Sequence, residues 1–133
     1  MNLKNFLLAG IAGGITDFLL GWIFYGMLLH GYFGGGEPKM EWIVAGCLSF
    51  GLFVSYIFVR WANFTTFGGG LQGGAAIGFF MGLIRHFFDS SMGDNPLTLE
   101  QMAVDFAVGI VMGAIVGGVV AAVNGSMSKP ANA

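Results

Sequence analysis

Charge is what this chain lacks most. Its five basic and seven acidic residues make up 9% of 133 positions, where a soluble domain carries about 25%. So few charges cannot cover the surface of a water-soluble domain of this size. The formal net charge of −2 leaves no basic footprint, which excludes a nucleic-acid partner. A single cysteine, Cys47, excludes an internal disulfide framework and a cysteine-based zinc site. No hydrolase elbow accompanies Ser49, Ser55 or Cys47, and 68–70 is a glycine run without the Lys-Ser/Thr of a phosphate loop. The chain therefore does not read as an enzyme, and no cofactor or metal is expected.

What it has instead is apolar length. Four runs, at about 6–29, 42–61, 67–88 and 100–123, are mostly uncharged. Each is long enough to cross ~30 Å of hydrocarbon. They are continuous, not alternating, which excludes a transmembrane β-barrel. The expected fold is all-α: an integral membrane four-helix bundle with glycine-rich helix interfaces. It forms one domain over 1–125, followed by a short polar tail at 126–133. Gly34, Gly35, Gly36 and Pro38 mark one connection, and Gly93, Asp94, Asn95 and Pro96 another.

Lys4, Arg60 and Lys129 fall on the side of both termini, against Lys39 and Arg85 on the other. The positive-inside rule then puts both termini in the cytoplasm, in a bacterial inner membrane. The acids Glu37, Glu41, Asp89, Asp94 and Glu100 lie on the opposite side.

Twenty-four glycines would weaken a soluble helical protein, but in lipid small residues let helix backbones approach. Gly70, Gly74, Gly78 and Gly82 recur every fourth residue and lead to His86; Gly109, Gly113 and Gly117 do the same from Asp105. Spans three and four are joined by a short loop, so these stripes are expected to face each other and His86 to meet Asp105. In span two the loose stripe Glu41, Ala45, Ser49, Tyr56, Arg60 and Asn63 is expected to face the interior, with Phe50, Phe53 and Phe58 mostly elsewhere.

Ionisable groups at mid-membrane cost about 2.5–3.5 kcal/mol, so Asp17 and Asp105 need an explanation. Both are candidate ion or proton sites. His86 and Arg85 are the expected partners of Asp105; Arg60, from below, and the rings of Tyr25 and Tyr56 are candidates around Asp17. His30, Glu41, His86, Asp89 and Asp105 gather toward one face, but their spacing matches no metal motif.

The stretch Gly21-Trp22-Ile23-Phe24-Tyr25-Gly26, with the glycine-rich last span opening at Asp105, resembles a family of short bacterial four-helix membrane proteins. That resemblance implies architecture and no chemistry. Asp17 is similar in position to the acid of the first span of small multidrug-resistance transporters, with Asp here for their Glu. Thr65-Thr66-Phe67 resembles a motif of fluoride channels, without the early arginine of that family. The expected function is a structural or accessory subunit that self-associates or docks to a larger membrane complex through its glycine faces. The alternative is a proton- or cation-coupled carrier of small solutes using Asp17.

Overall fold

The computed structural model describes residues 3–28, 39–91 and 98–128. Four helices account for them: α1 (Leu3–Gly21), α2 (Met40–Tyr56), α3 (Phe67–Ser91) and α4 (Leu99–Ser128). Two carry a π-wound extension, Trp22–Leu28 on α1 and Ile57–Ala62 on α2. With those extensions, all four are long and apolar enough to cross a membrane. Helix α4 continues through the first three residues of the expected polar tail.

The connections stop and start the helices by local chemistry. Asn63 adopts a left-handed backbone, φ 55°, which asparagine tolerates better than most residues, and this ends the α2 extension. Thr66 then accepts the Gly69 N–H at 3.1 Å and caps α3. At the start of α4, Thr98 Oγ1 accepts the Gln101 N–H at 3.1 Å while Gln101 Oε1 accepts the Thr98 N–H at 2.9 Å. This is a reciprocal capping box.

Helices α3 and α4 form the most extensive contact, followed by α1 with α2 and then α1 with α4. Glycines set the approach of the first pair. A side-chain carbon added at Gly74 would lie 3.0 Å from Gly117 Cα, and one at Gly78 would lie 2.6 Å from Gly109 O. At Gly70 it would meet the Gly117 backbone at 2.8 Å. In the α1–α2 pair, a carbon added at Gly14 would lie 2.9 Å from Leu48 Cα, and one at Gly51 would lie 2.8 Å from Gly14 Cα. Two members of the expected stripes behave differently. Gly82 faces the side chain of Phe106, and nothing lies within 4 Å of a carbon added at Gly109, whose carbonyl alone meets α3.

The two pairs join through an apolar core of Ala9, Val54, Phe58, Val116, Val120 and Ala121. The core lies toward the end of the bundle that holds both termini. There, Ser55 Oγ donates to Phe6 O at 2.8 Å, Asn5 Nδ2 to Asn124 Oδ1 at 3.4 Å, and Asn124 Nδ2 to Phe64 O at 3.0 Å. Phe58 and Phe64 meet edge to face at 4.9 Å.

The interior face of α2 corrects the sequence expectation. Glu41, Ala45, Ser49, Tyr56, Arg60 and Asn63 are all exposed, whereas Gly51, Val54, Ser55 and Phe58 are buried. Fit, not polarity, chose the face: Gly51 lies against the backbone of Gly10 and Gly14, where α1 and α2 come close. The polar stripe of α2 faces away from the interior.

Candidate functional site

Toward the opposite end of the bundle the helices leave an open cleft of about 540 Å³. Asp17 and Tyr25 line it from α1 and its extension, Phe50 from α2, Met81 and Arg85 from α3, and Asp105, Phe106 and Met112 from α4. Helix α2 does not pack extensively on α3, so the cleft occupies the space where a closed bundle would bring those helices together. Asp105 lies eight residues from Gly113, about 12 Å along α4, and Tyr25 lies eight residues beyond Asp17 on α1 and its extension. The cleft thus runs from a charged cluster near the helix ends down to Asp17.

The cluster is built around one carboxylate. Tyr25 Oη donates to Asp105 Oδ1 at 2.6 Å. Arg85 Nη2 is ion-paired with Asp105 Oδ2, and His86 Nε2 lies 2.8 Å from the same oxygen. Asp105 and His86 are buried, at 8% and 6% exposure, while the Arg85 side chain is 59% exposed. Three donors from two neighbouring elements therefore satisfy both oxygens of Asp105. A hydrogen bond to an ionised carboxylate puts an imidazole proton on Nε2, and Arg85 and Asp105 balance each other's charge. The other ring nitrogen, Nδ1, is buried without a hydrogen-bond partner among the described residues.

Asp17 is different. Its interaction is with the Cys47 thiol of α2, a weak donor. Among the described residues it forms no ion pair within 4.0 Å. Arg60 does not approach it, because it lies at the far end of the α2 extension, about 20 Å along the axis from Cys47. Tyr56 is also displaced from the expected position: its ring packs against Phe6 at 6.1 Å and Trp61 at 5.3 Å, toward the end that holds the termini. Tyr25 is the tyrosine that reaches the cleft. Arg85 is paired with Asp105, and Asp17 lines the cleft with no cationic side chain within 4.0 Å among the described residues.

The described part of the cluster around Glu41, His86, Asp89 and Asp105 contains no group of three or more metal-ligating side chains able to hold an ion. His30 lies outside the described residues. No protein-family model, no curated protein and no solved structure matches the chain. The resemblances read from residues 21–26, Asp17 and 65–67 therefore rest on those residues alone.

Sequence reading missed polar residues that organise the bundle, Ser55 with its bond to Phe6 O among them. Asn5 had a signal, since Asn5, Ala9, Gly13 and Asp17 recur every fourth residue. Asn124 had one as well, standing three residues beyond Ala121 on the small-residue stripe of α4. Cys47 as the partner of Asp17 had none, because that contact depends on the register of α1 against α2.

Proposed function

We propose that the protein is an integral membrane carrier of small solutes coupled to protons or cations, with Asp17 as the exchanging carboxylate. It sits in a bacterial inner membrane with both termini in the cytoplasm, an orientation favoured by Lys4, Arg60 and Lys129 at the terminal end against Lys39 and Arg85 at the other. One observation carries the reading: two acids share a cleft, and only one is saturated. Asp105 has a cation and two further donors, which suit a fixed structural charge. Asp17 has a thiol. An ionised carboxylate left without a counter-ion inside a bundle costs about 2.5–3.5 kcal/mol, and taking up a proton or cation relieves that cost.

The test is flux. In vesicles holding a proton gradient and an internal pH dye, the wild type should release protons when Na⁺, K⁺ or a small organic amine is added, and Asp17→Asn should abolish the signal. Equal flux in Asp17→Asn, or no flux in the wild type with any cation tried, would overturn the proposal.

A second reading, a structural or accessory subunit that self-associates or joins a larger membrane complex, is favoured by the limited packing between α2 and α3. That side is a better docking candidate than the glycine faces, because Gly70, Gly74, Gly78, Gly113 and Gly117 are turned toward one another within the chain. Native mass spectrometry from mild detergent separates the readings. A defined oligomer or a co-purifying membrane protein supports the second, and a partner-free monomer counts against it.

A further inference from the structure

We infer that the cleft takes a protonated primary amine with an apolar body, its ammonium on Asp17 and its body against the aromatic and thioether wall, in preference to a metal cation. This deepens the reading of Asp17 as an exchanging carboxylate, on which it rests.

The carboxylate of Asp17 has spare acceptor capacity. An ionised carboxylate offers about four lone-pair sites, and the Cys47 thiol, a weak donor, occupies one of them. Asp17 is half-buried and lines the cleft, so a ligand that fills the cleft can reach it. The other oxygen-bearing side chains along the cleft, Tyr25 and Asp105, are bonded to each other at 2.6 Å, and Arg85 and His86 also hold Asp105. Asp17 is therefore the carboxylate that the cleft offers to a ligand.

These groups discriminate among cations. A hard metal ion takes about six or more oxygen ligands, and no group of three or more metal-ligating side chains occurs among the described residues. A quaternary ammonium has no N–H, so it leaves the lone pairs of Asp17 unsatisfied. A primary ammonium brings three donors, and a charge-assisted N–H···O⁻ bond is about twice as strong as a neutral one. The walls select the rest of the molecule. Phe50, Phe106, Met81 and Met112 line the cleft, and phenyl faces and thioethers suit an apolar or aromatic body. The volume of about 540 Å³ lies within the ~300–1,000 Å³ of sites for organic ligands, far more than a lone ion fills. Gly109 leaves part of the wall bare, because nothing lies within 4 Å of a side-chain carbon added there.

Isothermal titration calorimetry on the purified full chain in mild detergent tests this, with phenethylammonium, its trimethylammonium analogue, methylammonium and Na⁺ as the ligands. Wild type should bind phenethylammonium about tenfold more tightly than the trimethyl analogue, the equivalent of one hydrogen bond to a charged group. It should prefer phenethylammonium to methylammonium and Na⁺ by about tenfold or more, through burial of the ring. Asp17→Asn should weaken phenethylammonium by about tenfold. Gly109→Leu keeps the carboxylate and fills the bare wall, and it should weaken phenethylammonium to a similar degree. Size-exclusion profiles show which variants are folded, and Gly109→Leu carries the test if Asp17→Asn does not fold. Equal binding of the trimethyl analogue or of Na⁺, no binding by the wild type, or an unchanged affinity in either folded variant overturns the inference. Binding is read without flux, so the two readings fail separately. A preference for Na⁺ that Asp17→Asn abolishes overturns the amine and leaves a cation carrier standing, whereas amine binding at Asp17 without proton flux overturns the carrier alone.

Discussion

The two ends of the bundle are built on opposite terms. At the end that holds the termini, three helices close on Val54, Phe58, Val116 and Val120, each 1% exposed or less. The polar groups there, Asn5, Ser55 and Asn124, bond across helices to neutral partners. At the other end α2 and α3 leave a cleft, and the polar groups are ionisable. The same four helices thus make a sealed core and an open site, and the difference lies in which small residues face which neighbour. Gly70 and Gly74 meet the backbone of α4, whereas Gly82 meets a phenylalanine ring and Gly109 meets nothing with its side-chain position. A glycine stripe is therefore not one feature along its length: it is a seam at one end and part of a cleft wall at the other.

That contrast can be broken most forcefully by one substitution made at both ends. Gly70→Leu drives a side chain into the Gly117 backbone and should cost 3 kcal/mol or more, at or above the upper end of the ~1–3 kcal/mol typical of overpacking. Gly82→Leu meets the Phe106 ring, which can turn into the cleft, and should cost about 1 kcal/mol. Thermal aggregation in mild detergent ranks the two, and equal loss at both positions would contradict the comparison.

Asn124→Ala should come next, at about 1 kcal/mol. It removes the acceptor of Asn5 and the donor to Phe64 O in a place that water does not reach. His86→Ala should be milder, near the ~0.6 kcal/mol average for polar contacts between transmembrane helices. Asp105 keeps Arg85 and Tyr25, and the lost imidazole borders an end open to water. A larger loss for His86→Ala than for Asn124→Ala, read from the same melts, would give the histidine a specific task at its unpartnered Nδ1.

The smallest effect is expected to be stabilising. Gly109→Ala adds a carbon where nothing lies within 4 Å and improves helix propensity, so it should raise stability by up to ~1 kcal/mol. Destabilisation there would mean that the α3–α4 seam extends further toward the cleft than the contacts indicate.

Much of this architecture is legible in the sequence. Apolar length marks the four helices, and the four-residue glycine period, with a short loop, makes α3 and α4 antiparallel neighbours with His86 and Asp105 at one level. The inward face of α2 is not legible from polarity, because in an apolar surrounding the tightest steric fit selects the face, and Gly51 carries that fit. The π-wound segments are invisible to any argument based on the α-helical period, and they decide where Tyr25 points. The contrast between Asp17 and Asp105 is equally hidden. Both are lone acids in apolar runs, and only the packing of α1 on α2 and of α4 on α3 gives one a thiol and the other an arginine, a histidine and a tyrosine.

The central claim is that Asp17 exchanges its proton with water through the cleft while the opposite end stays sealed. Infrared difference spectroscopy on reconstituted protein measures this directly, with the carboxyl band assigned by its loss in Asp17→Asn. The account predicts a band that responds to bulk pH and shifts when H₂O is replaced by D₂O. A band assigned to Asp17 that ignores both changes would contradict it.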